Sequence, residues 1–156
     1  METTKDKLLK DFIDLVPFLE SLRGLDEEKW TAAIQEGKCT IRDIIAHMAE
    51  WDRYFLEGAV QKILSNAPLT IEELDFDTFN QKAAEYGKTK TKDALLDQSI
   101  FYRRELVRGL RQIPEDRFDH TFPTPAEAFV VSQYIKDFVW HDHHHQQQIL
   151  TFLKRP

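Results

Sequence analysis

From Tyr134 to Leu153, apolar residues return every three or four positions, through Tyr134, Ile135, Phe138, Val139, Ile149, Leu150, Phe152 and Leu153. That spacing is the period of an α-helix, not the alternation of a strand. Within it lies Trp140-His141-Asp142-His143-His144-His145-Gln146-Gln147-Gln148-Ile149, which holds four of the chain's six histidines. Residues four apart on a helix differ by about 40° in direction, so His141 and His145 share a face. The stripe Tyr134, Phe138, His141, His145, Ile149 and Phe152 predicts that this face turns inward. Two imidazoles one turn apart and aimed at a core are how a helix offers two nitrogen ligands to one metal ion. The same spacing also suits two core histidines satisfied by hydrogen bonds, with His143 and His144 in solvent. An affinity tag would be terminal and uninterrupted, whereas Asp142 breaks this run and periodic sequence follows it.

The rest of the chain is read the same way. Leu8, Leu9, Phe12, Leu15, Val16, Leu19 and Leu22 form one stripe over about 4–22, with Pro17 predicting a kink or late start and Gly24 a stop. The stretch Leu25 to Trp30 is a short connection whose Trp30 packs back on the bundle. Thr40 with Asp43 is a shortened capping box opening a second helix through Ile41, Ile44, Ile45, Met48, Trp51 and Phe55 to about Ile63. His47 lies on the flank of that stripe, directed inward or to the core edge. As a lone residue it also fits a buried histidine bonded to a neighbour. Thr70 with Glu73 forms a capping box for another helical stretch. Leu95, Leu96, Ser99, Tyr102, Leu106, Leu110 and Ile113 mark a long helix ended by Pro114, with Ser99 and Tyr102 making part of its inner face polar. A Tyr102 ring in the core with its hydroxyl in solvent suits the same pattern. The last helix begins at Thr124-Pro125 or at Ser132, and His120 sits in the loop before it, exposed. No β alternation persists and no glycine-rich phosphate loop occurs among five glycines. The expected fold is all-α, a four-helix bundle with additional short helices in the connections, over a single domain 1–156.

Composition narrows the partners. Twenty-seven acidic against 21 basic residues leave a net charge of −6 with no basic run, which disfavours nucleic acid. No apolar stretch approaches a membrane span, the N-terminal residues lack a signal core, and one cysteine, Cys39, allows no internal disulfide. A cytoplasmic protein is expected, with Cys39 as a small buried or half-buried residue in preference to a reactive thiol. The phenylalanine-rich composition admits a homodimer.

His47 on one helix and His141 with His145 on another make three protein nitrogens, the number in an open catalytic site that leaves a position for water or substrate. Imidazole suits zinc, nickel and iron as well as copper, so ligand type does not choose the ion. No general base stands out. Glu50, Asp52 and Asp142 read as surface charges, with Asp142 alternatively supporting a ligand from behind.

Thr40-Ile41-Arg42-Asp43-Ile44-Ile45-Ala46-His47, followed about ninety residues later by His141-Asp142-His143-His144-His145-Gln146-Gln147-Gln148-Ile149, resembles the DinB-like superfamily, including its YfiT-like metal-dependent hydrolases. The resemblance spans nearly the whole chain in helix order. It implies a four-helix bundle in which His47, His141 and His145 hold one divalent metal, zinc or nickel first and iron also admissible. Gln146-Gln147 stands where many members carry a basic-glycine pair, which weakens transfer of any one subfamily's activity. The resemblance further implies a metal-dependent thiol S-transferase or hydrolase acting on a small molecule, in detoxification or stress response, with a low-molecular-weight thiol as a possible co-substrate. The competing expectation is a non-catalytic, stress-associated binding or interaction protein whose metal is structural or incidental.

Overall fold

The computed structural model describes residues 2–35, 37 and 39–155. Helix α1 spans Thr4–Ile13 and α2 spans Leu15–Ser21, and Pro17 explains the break between them. A proline at 17 has no N–H for the carbonyl of Ile13 and its ring crowds that carbonyl, so the helix interrupts there. The Thr3–Asp6 capping box starts α1, and a 3-10 turn, Leu22–Gly24, ends the pair. The connection carries a short helix, α3 (Glu27–Thr31), capped by Asp26, and seats Trp30 at 1% exposure. Helix α4 (Ile41–Phe55) opens on the Thr40–Asp43 capping box and runs through a π-helical turn, Leu56–Val60, into α5 (Gln61–Leu64). Helices α6 (Phe76–Gly87), α7 (Lys92–Gln112) and α8 (Val131–Leu153) complete the chain.

The architecture is an all-α four-helix bundle built from α1/α2, α4, α7 and α8. Helices α1 and α2 lie on α7, α1 also lies on α8, and α4 lies on α7 and α6. Helices α4 and α8 approach less closely, which leaves a cleft between them.

Two expected helix starts are corrected. Thr70 and Glu73 do not open a helix; α6 begins at Phe76, where the Asp75 side chain accepts from Asp77 N. The backbone at 70–72 is committed elsewhere: Thr70 N donates to Gly58 O at 3.0 Å and Glu72 N donates to the Tyr54 hydroxyl at 2.7 Å. A side chain on Gly58 would meet Ile71 at 3.0 Å, so the glycine is what lets this segment lie on the π-turn. Thr124 does not start α8 either. Phe122 and Phe129 exchange backbone hydrogen bonds at 2.8 Å, closing 122–129 into a loop, and α8 starts at Val131, beside the alternative start at Ser132. Cys39, expected to be buried or half-buried, is exposed.

The core forms two apolar halves. One gathers Leu8, Phe12, Leu56, Val60, Leu106, Leu110 and Ile135, the other Leu15, Leu19, Trp30, Ile41, Ile45, Leu96 and Ile149. Between them lies a charged layer. Arg103 of α7, 1% exposed, donates from Nε to Asp52 Oδ2 at 2.9 Å and from Nη2 to Asp52 Oδ1 at 3.1 Å. It also donates to Asp142 Oδ2 and Oδ1 at 2.6 and 3.2 Å, and to the Phe12 carbonyl at 3.0 Å. All five guanidinium N–H groups are thereby used, and the cation sits 4.0 Å from the Phe12 ring centroid. One side chain thus ties α7 to α1, α4 and α8.

Removing one partner of a buried ionic cluster strands the others, at a cost of about 3–5 kcal/mol, so Arg103→Ala is expected to lose that much stability in urea unfolding. The layer also sets a pH dependence. Burial pushes the Asp52 carboxyl up to about 6, Asp142 adding to the rise and Arg103 opposing it. Between pH 4 and 6 the folded protein therefore holds a proton that the unfolded chain has released, and raising the pH costs stability. Relative to Asp52→Asn, wild-type stability is expected to fall by up to about 3 kcal/mol across that window.

Candidate metal centre

The inward axis of α8 is set by Ile135, Asp142 and Ile149, seven residues apart and at most 3% exposed. At about 100° per residue, His141 points about 100° away from that axis and His145 about 60°. The expectation that both histidines face the core is therefore corrected: His141 is exposed and His145 half-buried, on the flank of α8. The physical cause is Arg103, which draws Asp142 into the position that a simple apolar stripe assigns to the histidines. Asp52 and Asp142, read from sequence as surface charges, are 1% and 3% exposed within the charged layer.

His47 is half-buried on the flank of α4, as the stripe predicts. Burial lowers its pKa, and the neighbouring His145 lowers it further, while Asp43 and the main chain of Asn80 oppose the shift. Burial likewise lowers His145, with smaller contributions from His144 and His141 on the same side, against the hydrogen bond to Gln148. Both imidazoles are therefore neutral at pH 7, the form that ligates a metal. His145 Nδ1 lies 2.9 Å from Gln148 Oε1. Because the amide oxygen only accepts, Nδ1 carries the proton and Nε2 keeps its lone pair, the support a ligating histidine requires.

His141 stands apart, with its ring 5.9 Å from Phe138 and 5.2 Å from Trp140. Among the described residues no three histidine, cysteine, aspartate or glutamate side chains are gathered as one ion requires. By type the three imidazoles suit a divalent transition metal; His145 is near enough to His47 to act on its titration, and His141 lies on the same flank of α8 as His145. His143 and His144 are exposed, His144 stacking on Trp140, and His120 is exposed as expected. Glu50 is half-buried with its carboxyl pushed up by burial, and its nearest cation is Arg53 at 3.8 Å. Ser99 is fully buried in α7 and Tyr102 packs against the core, so neither borders the cleft.

Arg103 was missed in the sequence although it carried a signal. It lies seven residues from Leu96 and from Leu110, as Asp52 lies seven from Ile45 and Ala59, and all four flanking residues are fully buried. A charged residue centred between buried heptad neighbours on three helices marks a polar layer. Tyr134 belongs beside it: its ring packs on Phe12 and Phe55, its hydroxyl has no hydrogen-bond partner among the described residues, and burial raises its pKa.

A family model described as the DinB superfamily matches residues 17–149. YfiT from Bacillus subtilis, described as a probable metal-dependent hydrolase with an unusual four-helix bundle topology, has a TM-score of 0.78 at 18% identity, covering 95% of this chain and 85% of its own. The mycothiol-dependent maleylpyruvate isomerase has a TM-score of 0.68 at 19% identity, covering 94% of this chain and 63% of its own, so this chain spans less than two thirds of that enzyme. No curated protein sequence matches. At these identities the two structures speak to fold. No helix among the described residues is long and apolar enough to cross a membrane.

The pairing of the two half-buried imidazoles is open to direct measurement. In proton-NMR titrations of metal-free protein, His47 and His145 are expected to titrate below the usual histidine range, and His145→Ala to move the His47 midpoint upward. An unmoved midpoint would separate the two rings.

Proposed function

The chain belongs to the DinB superfamily, and from that premise we propose that it is a metal-dependent enzyme acting on a small molecule through His47, His141 and His145, of thiol S-transferase or hydrolase type. The observation that carries this reading is that His47 and His145 are half-buried on the flanks of α4 and α8, with burial favouring the neutral ring in both, His145 acting on the titration of His47, and Gln148 accepting from Nδ1 of His145 so that Nε2 keeps its lone pair. When bound, a divalent ion such as zinc, nickel or iron supplies Lewis acidity, lowering the pKa of a thiol or water that reaches it or polarising a carbonyl.

The protein's own part is positional. His47 and His145 present lone pairs without first losing a proton, and Gln148 fixes the ring of His145. His141 joins them by leaving its contacts with Phe138 and Trp140. Arg103 holds α4 and α8 in register through Asp52 and Asp142, five residues after His47 and one after His141. Three histidine ligands leave room for a substrate donor, consistent with a low-molecular-weight thiol as co-substrate. We place the activity in the cytoplasm, in detoxification or stress response.

The exposed His141 favours a second reading, a non-catalytic binding protein whose metal is incidental. Elemental analysis of untagged protein purified without chelator separates the two. About one equivalent of a transition metal is expected in the wild type, lost in His47→Ala and His145→Ala, with an unchanged melting temperature marking the site as functional and not structural. Gln148→Leu is expected to weaken metal affinity about 10- to 100-fold while leaving the fold intact. Wild-type protein that takes up no zinc or nickel would leave the binding reading.

A further inference from the structure

One turn along both histidine-bearing helices, the cleft between α4 and α8 widens into a cavity of about 750 Å³. It is walled by α4, the segment after α5, the loop before α8 and the first turns of α8. That volume lies within the range of small-molecule sites and far exceeds a metal ion's needs. Trp51, Phe55, Phe129, Tyr134 and Phe138 supply aromatic surface, and Ile71 closes one side. The cavity adjoins the candidate metal centre: Trp51 is one turn from His47, Asp137 is one turn from His141, and the Phe138 ring is 5.9 Å from that of His141.

The rim has one sign of charge. Glu72, Glu73, Glu127 and Asp137 line it, and no lysine, arginine or histidine does so among the described residues. None of the four carboxylates enters an ion pair with a described residue. Two side-chain donors of the wall are committed, Trp51 Nε1 to Asn80 Oδ1 at 2.9 Å and Gln133 Nε2 to Asp137 Oδ1 at 2.8 Å, which leaves the hydroxyls of Tyr54 and Tyr134. An anion entering here meets the repulsion of four carboxylates, against which the wall sets two phenolic hydroxyls and no cation among the described residues. A cation meets carboxylates at the rim and aromatic rings below, the two groups that recognise an ammonium or guanidinium carrying an apolar body.

We infer that this cavity binds a small organic cation, an amine or guanidine with an aromatic-sized apolar body, and presents it to the histidine site as substrate. Calling the ligand a substrate rests on the proposed function; the binding itself needs no metal.

Calorimetric titration of metal-free protein tests the inference with three probes of one shape: 2-phenylethylammonium, the neutral 2-phenylethanol and the anionic 3-phenylpropionate. The cation is expected to bind about tenfold tighter than the alcohol, and the anion weakest of the three. Added salt narrows that gap. Glu73→Gln combined with Asp137→Asn, both at exposed positions, is expected to bring the cation down to the alcohol's level without changing the alcohol. Equal binding of the three, preference for the anion, or no binding of the cation to folded protein overturns the inference. Uptake of zinc or nickel returned to the same metal-free preparations keeps the two readings apart. A failed metal site leaves the cation preference intact, whereas a failed cation site leaves metal uptake intact.

Discussion

Arg103 is the residue on which the arrangement of the other helices depends. A guanidinium buried at 1% exposure is tolerable only when every donor finds an acceptor, and here the five donors reach Asp52, Asp142 and the Phe12 carbonyl. Those acceptors come from three other helices. Sliding any one of them by a turn would set a lone charge against leucine or isoleucine, so the charged layer disfavours alternative registers that two purely apolar cores would tolerate. It contributes register more than net stability, since desolvating three charges offsets much of their attraction.

The same layer turns the histidine helix. With Asp142 drawn to Arg103, His141 and His145 move to the flank of α8 that faces the cleft beside α4. A face buried in the core would have enclosed the imidazoles among isoleucines; the flank leaves them half-buried or exposed, next to an open cavity. Along α4 both Asp52 and the cavity residues Trp51 and Phe55 follow His47, and along α8 the cavity residues Asp137 and Phe138 precede Asp142 and His145, so the aromatic cavity opens on the same side of the half-buried histidines as the charged layer. The two half-buried imidazoles therefore stand near an open cavity and not inside the apolar core.

The aromatic and acidic character of that cavity depends on segments with little helical pattern of their own. The π-helical turn at Leu56–Val60 and the small Gly58 let residues 70–72 lie against α4, while the Phe122–Phe129 pairing folds the loop before α8 over the opposite side. Glu72, Glu73 and Glu127 reach the rim because of these two irregular segments.

Much of the fold was legible in the chain. Apolar recurrence every three or four residues specified the four long helices, the Thr40–Asp43 capping box marked one start, and Pro17 placed the break between α1 and α2. These features are local, and a helix's period and ends are decided by neighbours within a few residues. What tertiary structure alone decided is orientation: which flank of α8 faces inward, which carboxylates are buried, and where the 66–75 segment lies. Spacing placed His141 and His145 on one face, but only the pairing of Asp142 with an arginine 39 residues away in sequence determined where that face points. A hydrophobic stripe is broad, and a single buried salt bridge outweighs the small difference between its possible centres.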